Sequence, residues 1–207
     1  MTTVVLGATG GTGRQLVARA LASGLDVRAL VRNPATADLP VHPRLQVVRA
    51  DVHDAASVTG AIDAEDIVLS GLGVSSRRRL GTLEAGASAV VAARPARIVW
   101  LGAAGTGPSS EKVSGAVAWA LKKGFGAEYD DKTASEELVL AAGGVILHSG
   151  PLSDKADDAK VAAEHVDRVD RRFFPFGASR VSVARLMLGL ADAEAFPQPG
   201  VYLVQRR

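Results

Sequence analysis

Short apolar runs alternate with helix-like stretches through the first half of the chain, and this rhythm most constrains what it can fold into. Val4-Val5-Leu6 reads as a strand, and residues 14–22 read as a helix with Leu16, Val17, Ala20 and Leu21 on one face. Further strand-like runs fall at 26–31, 45–50, 67–69 and 98–101. Helical patterns at 55–62, with Asp54 as cap, and at 82–93 separate the later ones. Continuously apolar strands need cover on both faces, and parallel neighbours need crossover helices. The expected class is α/β, with a doubly wound parallel sheet.

The second half is less regular. A weakly amphipathic stretch spans 113–121, a helix is expected over 133–142, and a sixth strand over 145–148. Residues 154–172 are highly charged and read as surface hairpin or loop. Ser182 is the expected cap of a helix over 183–191, and 201–204 reads as a last strand. With no internal repeat or linker, the 207 residues read as one domain, its substrate region built mainly from 105–180.

Composition narrows the function classes. The chain has no Cys, which removes disulfides, thiolate metal sites and a cysteine nucleophile. Its four His residues lack metal-ligand spacing, so no metal is expected. Net charge is only +2 and aromatics make up 4%, which argues against nucleic-acid binding. No apolar run reaches membrane-spanning length, and Met1-Thr2-Thr3 opens directly onto a strand rather than a signal peptide. The expectation is a cytoplasmic protein, monomer or homodimer, acting on a small molecule.

The sharpest motif is Gly7-Ala8-Thr9-Gly10-Gly11-Thr12-Gly13, between the first strand and the first helix. Gly7 suits a tight turn, Gly10 close backbone approach to a pyrophosphate, and Gly13 packing of helix on strand. Helix-terminal amides then face the anion, and Thr9 and Thr12 add hydroxyls. This is a Rossmann-type dinucleotide site by its context. The second strand ends in Leu30-Val31-Arg32, where a guanidinium replaces the acid that usually holds a ribose 2′-hydroxyl. Arg32 therefore favours the 2′-phosphate of NADP(H) over NAD(H), whereas Arg28 lies mid-strand. Asp51 suits either the adenine amino group or a helix cap, with Val52 against the ring. Gly71-Leu72-Gly73, after the fourth strand, lets backbone pass close to the adenosine ribose and phosphates.

These segments resemble the atypical short-chain dehydrogenases/reductases, nearest to NmrA-like NAD(P)-binding proteins and biliverdin-IXβ/flavin reductases. The likeness extends to Asp130-Asp131-Lys132, Glu136-Glu137-Leu138 and Gly150-Pro151-Leu152-Ser153-Asp154. It implies a Rossmann-type fold with a small C-terminal substrate region and NADPH as ligand. It also implies that Lys132 contacts the nicotinamide ribose. Two departures stand out. Ala103 and Ala104 occupy places where the family often has serines facing the nicotinamide. Tyr129 lies three residues before Lys132, not the four of the wider superfamily's Tyr–Lys pair, but the two still share a helix face and stand as the candidate catalytic residues.

Pro151 and Leu152 are expected against the nicotinamide, because loops at strand carboxyl ends form the crevice. Ser149 reads as a nicotinamide-facing hydroxyl or a loop cap, and His148 as a proton donor or an interior imidazole. Trp119, Phe125, Phe173, Phe174 and Phe176 read as substrate-pocket or core residues. Arg77-Arg78-Arg79 reads as a phosphate cover or a solvated loop. The favoured activity is NADPH-dependent reduction of a small aromatic or conjugated molecule: a flavin, a quinone, a tetrapyrrole or a secondary-metabolite carbonyl. The alternatives are a non-catalytic NADP(H) sensor and a redox-neutral isomerase or cyclase on the same fold.

Overall fold

The structure is a computed structural model that describes residues 1–73, 80–170, 176–192 and 196–206. Eight strands form one sheet in the order β3-β2-β1-β4-β5-β6-β10-β8. They are β1 (Thr3–Leu6), β2 (Val27–Val31), β3 (Leu45–Arg49), β4 (Ile67–Ser70), β5 (Arg97–Ala103), β6 (Val145–Ser149), β8 (Val161–His165) and β10 (Gly200–Arg206). All pairings are parallel except that of the edge strand β8 with β10. A parallel pair, β7 (Leu152–Ser153) and β9 (Ala178–Ser179), stands apart.

Strand alternation sorts the core into two layers. Val4, Leu6, Val68, Ile98, Trp100 and Ile146 face one side. There they meet α2 (Ala55–Thr59), α3 (Thr82–Ala93) and α4 (Gly115–Ala141). Val5, Ala29, Leu69, Val99 and Leu147 face the other side, against α1 (Gly11–Ala22) and α5 (Arg180–Asp192). The strand order reverses at β1, so the carboxyl ends of β1 and β4 diverge into a crevice. The doubly wound parallel sheet is as the sequence predicts.

Four elements differ from expectation. Helix α1 starts at Gly11, because Gly11 and Gly13 adopt helical backbone that their residue type does not advertise. The stretches at 113–121 and 133–142 are parts of one 27-residue helix, α4. Gly124 and Gly126 weaken the pattern between them, but no proline breaks it. The charged stretch 154–172 contributes a sheet strand, β8, whose partner β10 lies far along the chain. Helix α5 is capped one turn earlier than expected. Ser179 Oγ accepts from the Ser182 amide at 3.0 Å, while Ser182 sits inside the helix and donates to Asp157 at 2.9 Å. Asp54 caps α2 as predicted, its carboxylate accepting from the Ser57 amide. Arg28 is committed to structure, paired with Asp66 at 2.8 Å. Among the described residues, no helix is long and apolar enough to cross a membrane.

Candidate cofactor site

Three backbone segments meet at the sheet's reversal point with no room for side chains. Gly7 has φ +74°, and a Cβ there would stand 2.9 Å from Leu72 Cα. At Gly13 a Cβ would stand 2.1 Å from the Gly7 carbonyl oxygen, so only glycine lets α1 press onto its own entry turn. Gly10 precedes the helix and offers no side chain to cap it. The first-turn amides of α1 therefore keep their donors without a side-chain acceptor. By contrast Asp54 caps α2 and Ser114 caps α4.

These amides border a cleft of about 780 Å³ along the carboxyl ends of the strands. One end is walled by Leu30, Val31, Arg32, Ala50, Asp51 and Val52. Gly7, Thr9, Gly10, Gly11, Thr12, Gly71, Leu72 and Gly73 line its middle. Leu101, Gly102, Ala103, Lys132, Ser149, Gly150 and Leu152 form the other end. Arg32 is exposed and makes no ion pair among the described residues. Asp51 spends Oδ1 on the His53 amide at 3.0 Å, a local turn rather than a helix cap.

The length and lining suit a dinucleotide: an anion-binding centre, apolar walls at one end, and a cation where a 2′-substituent would project. A family model for NAD(P)H-binding proteins matches residues 7–194. The chain belongs to this NAD(P)H-binding family.

No curated protein matches the sequence. Among solved structures, the chain is similar to ChuY, an anaerobilin reductase from Escherichia coli O157:H7. The TM-score is 0.78 at 22% identity, covering 100% of this chain and 97% of that one. A short-chain dehydrogenase/reductase from Veillonella parvula, solved with NADP, gives 0.80 at 16% identity over 99% and 94%. The oxidoreductase YlbE from Lactococcus lactis gives 0.80 at 17% over 100% and 91%. At these identities the likeness is one of fold.

Most residues expected to hold NAD(P)H do border this cleft; Gly13 and Pro151 do not, nor does the catalytic candidate Tyr129. Gly13 is buried behind the loop in the packing role its type suggests. Pro151 is exposed and outside the lining, although its neighbours Gly150 and Leu152 belong to it. Tyr129 is half-buried on α4, away from the cleft lining. Burial, then the charge of Glu136, pushes its phenol pKa above the ordinary value, the reverse of what a Tyr–Lys pair needs. Lys132 does reach the cleft. Burial lowers its pKa, and Glu136, Glu128 and Asp131 oppose that effect only in part.

Asp131 has a structural task that its sequence position hides. Its carboxylate accepts from the amides of Leu83 at 3.3 Å and Glu84 at 3.0 Å, capping α3 from another helix. Arg180 also went unseen in the sequence. It opens α5, lines the cleft, and lays its side chain over Gly11, where an added Cβ would meet its Nε at 2.7 Å. Its Nη1 holds Asp154 at 2.7 Å. No local signal marks it, because the long segment between α1 and α5 has to fold back first.

His148 is an interior imidazole, not a donor at the cleft. Its Nε2 lies 3.1 Å from Glu136 Oε2 and its Nδ1 2.7 Å from Ser109 Oγ. Thr106 donates to Glu136 at 2.9 Å. The Ser–His–carboxylate order resembles a nucleophilic triad, but Ser109 is fully buried, so no substrate can reach it. Trp119 is 65% exposed with Lys123 over its ring, and Phe176 lines a small separate cavity beside His148. Neither lines the cleft. Arg77, Arg78, Arg79, Phe173, Phe174 and the side chain of Phe125 lie outside the described residues.

Proposed function

We propose that the protein is an NADPH-dependent reductase of a small aromatic or conjugated molecule, such as a flavin, a quinone or a secondary-metabolite carbonyl. One observation carries this reading: along a single cleft, an uncapped helix terminus lies between an uncommitted guanidinium and a wall of strand-end residues. The amides of α1 hold the diphosphate, with Arg180 as a second cation beside it. Arg32 holds the 2′-phosphate, Asp51 accepts from the adenine amino group, and Val52 and Leu72 cover the base. Lys132 holds the nicotinamide ribose. NADPH, when bound, would supply the hydride and solvent the balancing proton, and the wall from Leu101 to Ala103 with Gly150 and Leu152 would orient a planar acceptor. Such positioning removes much of the entropic barrier. An anaerobilin reductase and an NADP-bound relative on the same fold support this choice.

A second reading, a non-catalytic NADP(H) sensor, draws on the absent hydroxyls at Ala103 and Ala104 and on Tyr129 standing off the cleft. NADPH consumption with a flavin and quinone panel separates the two. Turnover supports the reductase, and silence with tight NADP binding supports the sensor. The cofactor assignment has its own test in Arg32→Ala. A charge-assisted phosphate contact is worth about 1.5–3 kcal/mol, so NADPH affinity should fall roughly 10- to 150-fold. NADH affinity should hold. Equal losses for both nucleotides overturn the 2′-phosphate role.

A further inference from the structure

Among the described residues, one buried side-chain polar atom has no hydrogen-bond partner: the hydroxyl of Ser149. The residue is 5% exposed and forms part of the cleft wall. A buried hydroxyl left unpaired costs free energy, so a fold that keeps one there needs a reason. The surroundings supply no partner. Ala103 and Ala104 carry no hydroxyl or acceptor side chain. Thr106 and Ser109 are committed to Glu136 and His148. His148 itself faces the opposite side of the sheet, because neighbours along a strand alternate.

Register places Ser149 beside Ala103 on the adjacent parallel strand. The two residues share a face, separated by about one interstrand spacing of roughly 4.8 Å. The hydroxyl that β5 lacks is thus present one strand over. This end of the cleft is opposite the Arg32 end, where the adenosine is placed. A dinucleotide laid across the switch point therefore brings its nicotinamide here.

Building on the proposed NADPH site, we infer that Ser149 is the positioning residue for the nicotinamide carboxamide. A carboxamide both donates and accepts, and so does a hydroxyl. Pairing them satisfies the orphan atom only when cofactor is bound, and fixes which face of the ring meets the substrate. Ligand binding would then give the hydroxyl a partner that the protein itself does not supply.

Two measurements on Ser149→Ala test this. The first compares wild type and variant for binding NADP+ and 2′,5′-ADP, which keeps both phosphate ends but lacks the nicotinamide. One neutral hydrogen bond predicts that NADP+ binding weakens about 3- to 10-fold while 2′,5′-ADP binding stays constant. The second is thermal unfolding without ligand. Removing an unsatisfied hydroxyl should leave the melting temperature unchanged or raised. Unchanged NADP+ affinity, an equal loss for both ligands, or a melting temperature lowered by several degrees overturns the inference. If wild type binds neither ligand, the NADPH reading itself fails, and that result is separate from any effect of the variant.

Discussion

A methyl group added at Gly102 would enter the buried polar contact between Glu136 and His148. The new Cβ would lie 2.4 Å from Glu136 Oε1, 2.5 Å from His148 Cδ2 and 2.7 Å from His148 Nε2. Ordinary contact needs about 3.4 Å, so a neighbour must retreat by roughly 1 Å. Glu136 and His148 are buried and face each other at 3.1 Å, so neither can step back without breaking that bond or the Thr106 bond at 2.9 Å. Overpacking costs about 1–3 kcal/mol and an unmade hydrogen bond to a charged group about 1.5–3 kcal/mol. Gly102→Ala should therefore lose about 2.5–6 kcal/mol, much of the reserve of an ordinary domain. For a chain of this size that lowers the melting temperature by about 5–24 °C. Gly73→Ala is the control, since no heavy atom of the described residues lies within 4 Å of its Cβ although it lines the same cleft. Urea unfolding of both variants measures the difference. If Gly102→Ala stays within about 1 kcal/mol of Gly73→Ala, the size of ordinary surface effects, the Glu136–His148 contact yields freely and the reasoning fails.

Two further predictions concern charge. Burial alone would raise the carboxyl pKa of Asp157, but hydrogen bonds from Ser182 and Arg185, with the charges of Arg185 and Arg19, bring it below the ordinary value. A depressed folded pKa gives stability that is present above the unfolded value of about 4 and is lost as pH falls through the folded one. Asp157→Asn should flatten the acid limb of a stability–pH curve below about pH 4; an unchanged limb refutes the coupling. Lys132 sits in the cleft with its pKa lowered by burial, so its cation is lost at lower pH than an ordinary lysine's. NADP+ affinity should weaken as pH rises toward 10, and Lys132→Met should bind more weakly at neutral pH and lose that slope. An identical pH profile in the variant removes Lys132 from the cofactor's contacts.

Elements built from local pattern were legible in the sequence. The glycine loop, Arg32, Asp51 and the strand ends announce the crevice, because apolar runs and turn glycines follow from neighbours in the chain. What stayed hidden depends on contacts across long separations. Asp131 looks like half of an acidic pair until α3 presents its amides. Arg180 is an ordinary residue type whose place is set by α5 packing against the sheet. The β8 strand has little pattern of its own and exists through β10. Helix α4 was read as two pieces because glycine lowers propensity, and tertiary packing overrides that.

Helix α4 is tied down at three nearby points: Asp131 on α3, Lys132 in the cleft, and Glu136 on His148. Sliding it by one residue would undo all three at once. Its second half is therefore a fixed datum for the whole molecule, whereas Trp119 in the first half is 65% exposed. Substitutions at Asp131, Lys132 or Glu136 should therefore disturb the frame more than substitutions before residue 128.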